Sequence, residues 1–255
     1  MLNLCPSLGL WRKTSSETLA IVDAADFDGT NDSMARGGGL TGAADSKLGI
    51  FSAWLRLDGG DGASQYLIEG SNAAAVLRAS DNKFQIIMTS PAPATVLNIK
   101  TVNTYLASST WLHILSSWDM GTVGARHLYI NDVSDLAVTT FTDALCDYTV
   151  ADWMTGSIAS GGPAFRVNGC LAEFYFATGQ YLDFSVTANR RKFISAAGKP
   201  VALGATGSFP TGTTPILLHH LDDGEAVANF ATNRGSGGSF TITGTLDTAS
   251  TSPSD

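Results

Sequence analysis

Charge is scarce in this chain. Only 15% of its 255 residues are Asp, Glu, Lys or Arg, against about 25% in an average globular protein. What charge there is leans acidic: 15 Lys and Arg face 23 Asp and Glu, a formal net charge of −8, and no basic block interrupts the sequence. Nucleic-acid backbones are bound by cations that displace counterions, so nucleic acid is excluded as a partner. Apolar runs are short. None approaches the ~18 residues that cross a bilayer, so no membrane partner is expected. The opening residues, Met1 to Arg12, place no basic residue ahead of their apolar stretch and contain Pro6 and Gly9, which argues against a secretory leader. Cysteine is rare as well. Cys5, Cys146 and Cys170 are too few and too scattered for a disulfide framework or a zinc site, and read as buried thiols of a chain folding in a reducing compartment.

Helical periodicity is also nearly missing, and short alternating segments stand in its place. Phe51, Ala53, Leu55 and Leu57 share one face of a segment whose other face carries Ser52, Trp54 and Arg56. Phe84, Ile86 and Met88 alternate with Gln85 and Ile87. Leu112, Ile114, Ser116 and Trp118 alternate with Trp111, His113, Leu115 and Ser117, and Leu128 and Ile130 with Tyr129. Ala172, Phe174 and Phe176 are expected opposite Leu171, Glu173 and Tyr175. Period two between turn signals, with 27 glycines in all, predicts an all-β fold of two packed antiparallel sheets. One helix is expected, over Ser185 to Ala197, capped by Ser185 or Thr187 and stopped by Gly198 and Pro200. Its Arg190, Arg191 and Lys192 read as a solvated face near the negative end of the dipole. Leu203 to Pro215 reads as an irregular connection, Ile216 to Leu221 and Phe240 to Thr243 as further strands, and Asp247 to Asp255 as a solvated tail. The expected organisation is an N-terminal arm or first strand over 1–26, a core over 27–184, and a helix plus C-terminal extension over 185–255 that completes or decorates the same domain.

Five segments in order carry a resemblance. Phe27-Asp28-Gly29-Thr30-Asn31-Asp32, Phe51 to Leu55, Trp111 to Asp119, Leu128 to Val133 and Gly169 to Phe176 resemble successive strands and turns of the concanavalin A-like jelly roll in its laminin-G-like form. One departure stands out: Ala172 occupies a place where that family usually has Asp. The stretches from Ala188 to Pro200, Pro215 to Asp223 and Asn229 to Leu246 look similar to segments in structural proteins of tailed bacteriophages.

Enzymes and lectins both use such folds, so each possibility has to find its residues. Retaining glycosidases on this scaffold carry a pattern such as Glu-x-Asp-x-x-Glu, because nucleophile and acid must sit ~5–5.5 Å apart. Glu173 has Tyr175 as its second neighbour and no carboxylate partner on the strand. His113 reads as a hydrogen-bonded sheet histidine. His219 and His220 point to opposite faces of a strand and cannot share one metal. No Gly-x-Ser-x-Gly elbow or phosphate loop is present, and no catalytic residue is assigned. Asp28, Asn31 and Asp32 in one turn, and Asp222 with Asp223 in another, are oxygen-rich. Such residues cap tight turns by bonding their own backbone, so calcium stays a candidate ligand while no metal or cofactor is assigned.

Two surfaces remain. Trp54 and Arg56 with Tyr129 and Tyr175 are a candidate glycan or partner platform on the non-core face, open equally to cover by a loop or a neighbouring subunit. Leu2, Leu4, Leu8, Leu10 and Trp11 form an apolar arm, an assembly interface or a cover on its own domain. The resemblances together imply a non-enzymatic virion component, a head decoration or part of a tail or fibre, folded in the bacterial cytoplasm. It would work through contacts with other virion proteins and as a homo-oligomer, such as a trimer. The alternative is a carbohydrate-binding adhesion module displayed on the particle.

Overall fold

The period-two segments become strands, and the chain is nearly all β. The computed structural model describes residues 18–159 and 165–255. In chain order the elements are β1 (Ala25–Asp28), β2 (Ser33–Ala35), β3 (Leu48–Leu57), β4 (Gln65–Gly70), β5 (Ala74–Arg78), β6 (Phe84–Thr89), β7 (Thr95–Lys100) and β8 (Leu112–Asp119). They continue with β9 (Arg126–Ile130), β10 (Val133–Ser134), β11 (Ala137–Phe141), β12 (Trp153–Thr155) and β13 (Asn168–Thr178), then α1 (Thr187–Arg190), β14 (Leu217–His219), β15 (Thr241–Thr243) and β16 (Asp247–Thr248). Two eight-stranded sheets result. The first runs β10-β9-β8-β3-β13-β1-β16 with β14 beside β13, and the second runs β11-β7-β6-β5-β4-β12-β2-β15. Every strand pair is antiparallel. Strands β14, β15 and β16, all beyond residue 185, are built into the two sheets.

The main core lies between the sheets. Phe51, Ala53, Leu55 and Leu57 of β3 meet Phe84, Ile86 and Met88 of β6 there, with Trp118 and Trp153. Trp118 donates its indole N–H to the Tyr148 hydroxyl at 3.0 Å. Gly49, on β3 opposite Trp118, leaves room for that ring: a Cβ at Gly49 would lie 2.2 Å from Trp118 Cζ2.

Strand β13 departs from simple alternation. Its pairing with β3 shifts register between Ala172 and Tyr175, and Glu173 adopts φ +44°. This β-bulge inserts one residue, so the faces exchange. Leu171, Phe174 and Phe176 all face the inter-sheet core, while Cys170, Ala172 and Tyr175 face outward. The uniform alternation expected from the sequence, with Ala172 beside Phe174, is therefore corrected.

The outer face of the first sheet is covered by a third layer. Phe184, Phe193 and Leu203 pack on Ile50, Leu115, Tyr175 and Leu218. Val22, Ala24 and Ile194 pack on Trp54, Cys170 and Ala172. This layer explains why the helix stops at Arg190 rather than continuing to Ala197. Adjacent Phe193 and Ile194 are both buried, yet in different clusters, which turns the chain out of the helix. Val186 is the N-cap, with no side-chain capping bond, in place of Ser185 or Thr187. The basic triplet is not a solvated face either. Asp132 pairs with Arg190 Nε at 2.5 Å and with Arg191 Nη2 at 2.7 Å, while Lys192 Nζ donates to the Pro210 carbonyl at 2.7 Å. The expected solvated tail is likewise tied down. β16 pairs with β1, Ala249 packs beside Trp54, and the Ser254 hydroxyl accepts the Val22 N–H at 2.9 Å.

Candidate functional site

The four platform residues share the outer face of the first sheet, as their alternation requires, but they do not form an open platform. Trp54 is buried with its ring 4.6 Å from that of His113. Tyr175 is buried edge-on against Phe193. Tyr129 is half-buried beneath the Arg190 guanidinium, 4.6 Å above its ring. Arg56 makes two 2.9 Å bonds to Asp58. The cover comes from the chain's own third layer. Leu2, Leu4, Leu8, Leu10 and Trp11 lie outside the described residues.

At the margin of that cover a hollow of about 380 Å³ stays open. Buried Trp54 and Ile194 line its inner part, half-buried Trp111 lines it further out, and exposed Thr110 and Asn131 stand at its rim with Lys199. Trp111 is placed by β8, which it precedes, and by a bond from its indole N–H to the Thr251 hydroxyl at 3.3 Å. Asn131 sits in the β9–β10 turn at φ +49°, where its Oδ1 accepts the His113 N–H at 2.7 Å and its amide nitrogen is left as a donor. The volume lies within the ~300–1,000 Å³ of small-ligand sites. An indole beside an amide and a hydroxyl, with the Lys199 ammonium bonded to the Asp255 carbonyl at the rim, offers an apolar surface with a few convergent polar groups. Alternation puts Trp111 in a strand without marking it as a site residue. Its signal was position: it falls on the outward alternation with His113 and Leu115, at the end where the cover stops.

The oxygen-rich turns are engaged by groups of the chain itself. Asp28 Oδ1 accepts the N–H groups of Thr30 and Asn31 at 2.7 and 3.0 Å. Desolvation works against them, yet these donors hold the Asp28 carboxyl below its ordinary value. Asp32 accepts the N–H groups of Asp28 and Thr245 at 3.0 and 2.8 Å. Asp222 binds His220 and Arg234, each at 3.0 Å. Among the described residues one further set, Asp26, Asp58 and Cys170, brings three potential ligand atoms within 4.8 Å of one another. It suits a metal poorly. Arg56 occupies both Asp58 oxygens, and burial pushes the Cys170 thiol well up and raises the Asp26 carboxyl.

The histidines are structural in their contacts. His113 accepts or donates a 2.9 Å bond with Ser52, and burial pushes it down to about 3. His219 sits among Phe174, Phe230 and Phe240, and burial pushes it down to about 4. His220 points to the opposite side, with Nδ1 3.7 Å from the Glu173 carboxyl. Glu173 itself is fully enclosed at the bulge. Desolvation pushes it up to about 8, partly offset by the Trp54 indole N–H, so it carries a proton at neutral pH.

No protein-family model and no curated protein matches the chain. Solved structures do. A protein from Bacteroides ovatus, to which carbohydrate binding is provisionally ascribed, aligns over 91% of this chain with a TM-score of 0.56 and 11% identity. This chain spans 60% of that protein's length. A heptameric pentraxin from Limulus polyphemus covers 64% of this chain and is itself covered over 78%, at 12% identity and a TM-score of 0.45. Laminin α1 domains LG4-5 from mouse cover 64%, are covered over 43%, and give 12% identity and a TM-score of 0.43. No helix among the described residues is long and apolar enough to cross a membrane. With its two antiparallel sheets packed face to face, the chain has the concanavalin A-like jelly-roll fold.

Proposed function

We propose that this chain is a non-enzymatic module that binds a saccharide in the Trp111 hollow and is displayed on the particle of a tailed bacteriophage. The open hollow carries the reading. Sugars present an apolar face of C–H groups and a ring of hydroxyls, and here an indole stands beside an amide and a hydroxyl. The ascription of carbohydrate binding to the Bacteroides ovatus protein supports it, and the likeness of the last quarter of the sequence to phage structural proteins supports the particle. Among the described residues, Asp255 supplies the one carboxylate side chain that lines the hollow, which does not suit a two-carboxylate hydrolytic mechanism there. The test is a glycan array probed with the wild type and with Trp111→Ala. Selective binding lost in the variant is expected; an array without hits, or equal binding by both proteins, sinks the reading.

A second reading is a structural virion component acting through contacts with its own copies and other virion proteins. Exposed Leu19, Ile21 and Phe209 favour it. Light scattering of the purified protein, followed by mixing with particles that lack it, tests this role. A persistent monomer that ignores the particles rejects it.

A further inference from the structure

The Trp111 hollow has a neighbour. A second hollow, of about 540 Å³, is lined by Arg56, Asp58, Ser108, Ser109, Ser250 and Thr251. The same two stretches of chain line both. Ala107 to Ser109 border the second hollow, and the next two residues, Thr110 and Trp111, border the first. Likewise Ser250 and Thr251 border the second, while Ser252, Pro253 and Asp255 border the first. The hollows therefore lie end to end along two tracks of chain, with Trp111 at their junction. One hydroxyl ties the walls together: Thr251 Oγ1 accepts the Trp111 indole N–H at 3.3 Å and an Arg56 Nη1 hydrogen at 2.7 Å. The Arg56 guanidinium stands 5.9 Å from the centre of the Trp111 ring.

The second hollow is polar, and its walls are already held. Arg56 is fixed by its two bonds to Asp58 and by its bond to Thr251, so little ordering is left for a ligand to impose. Ser108 Oγ accepts the Thr110 N–H at 3.2 Å, which sets the loop that carries Ser109. Ser109, Ser250 and Thr251 are exposed, and each brings a hydroxyl able to donate and accept. Among the described residues the two hollows are lined by two cations, Arg56 and Lys199, and two carboxylates, Asp58 and Asp255. Their charge is balanced, in a chain whose net charge of −8 repels polyanions. Hydroxyls in a row beside an indole, without net charge, match uncharged sugar rings joined in a chain. We propose that the two hollows form one cleft for a neutral oligosaccharide, with one ring against Trp111 and the next among Ser109, Ser250 and Thr251. The inference rests on the saccharide reading of the Trp111 hollow and extends it from one ring to a chain. Each hollow exceeds the ~300 Å³ lower bound of small-ligand sites, so each has room for a ring.

The test is an array of neutral glucose, galactose and mannose oligomers of one to four units, with their uronic-acid counterparts. It is probed with the full-length wild type, Trp111→Ala and Ser109→Leu. At least one neutral series should bind several-fold more tightly as chains of two or more units than as the single sugar. Ser109→Leu places a branched apolar side chain in the second hollow from an exposed loop position, and should erase that gain with length. Binding that depends on Trp111 but is equal for one unit and for longer chains overturns the cleft and leaves the Trp111 reading standing. Tighter binding of the uronic-acid counterparts overturns the neutral assignment. A gain with length untouched by Ser109→Leu overturns the part given to the second hollow. An array without hits removes the saccharide reading and the cleft together.

Discussion

Replacing Glu173 by Gln keeps the shape of a buried side chain while removing its titration, and the consequence depends on pH. The carboxyl is enclosed beside Trp54 and His220, where desolvation pushes it from 4.5 to about 8. In the unfolded chain it ionises near 4.5. Between that value and about 8, the folded protein keeps a proton that the unfolded chain has released, so unfolding becomes easier as pH rises through this window. At about 1.4 kcal/mol per unit, a displacement of this size corresponds to roughly 4–5 kcal/mol across the window as an upper value. His113 and His219, held at about 3 and about 4, impose the opposite slope below their ordinary value of 6.5. Both proteins share that slope, so the quantity to read is the difference between them. Urea unfolding followed by tryptophan fluorescence, at several values from about pH 5 to about pH 8, measures it. Glu173→Gln should gain on the wild type steadily with pH, by about 2 kcal/mol or more over that range. A difference that stays constant across the range refutes the assignment of a buried, proton-carrying carboxyl.

Other perturbations test the packing and the site. Gly49→Ala drives a methyl into the buried Trp118 ring and should cost about 2–4 kcal/mol in chemical denaturation, with loss of near-ultraviolet circular dichroism from that tryptophan. Asp132→Ala leaves the nearly buried Arg190 without its carboxylate and should cost about 2–3 kcal/mol. Desolvation opposes ionisation of Asp132, but Arg191 and Arg190 hold its carboxyl below the ordinary value. Its contribution is therefore present at neutral pH and is lost as pH falls through the folded-state value, which acid titration of wild type against variant checks. Trp111→Ala should cost about 1–2 kcal/mol of unfolding free energy, for the half-buried ring and its bond to Thr251, and leave a folded protein from which saccharide binding has disappeared.

The first sheet was legible in the sequence because its strands alternate cleanly or are apolar on both faces. β3, β8, β9 and β13 all announce themselves. The second sheet was read mainly from β6. Its β5 is Ala-Ala-Val-Leu-Arg, buried throughout, and alanine carries little strand signal; β2 and β12 span three residues each, too short for periodicity. The bulge at Glu173 was hidden because insertion of one residue is a property of pairing, visible only beside β3. The platform was placed on the right face, yet its cover depends on Phe193 and Ile194 turning the chain back over Tyr175 and Trp54, a long-range contact with no local mark. Trp111 became a site residue only once that cover was seen to end beside it.

The order in which the chain is made bears on β1. Its Ala25 pairs with Leu171 on one side and with Thr248 on the other. At ~5–20 residues per second, ribosomal synthesis takes on the order of 10–40 s to travel from β1 to β16. For most of that time a strand carrying buried Phe27 has neither neighbour, and its unpaired amides and carbonyls are open to any extended segment nearby. A ribosome stalled between β13 and β16 would present a sheet closed on one flank of β1 and raw on the other. Yield during expression should therefore depend on how quickly the last residues follow, and on chaperones that occupy that flank in the meantime.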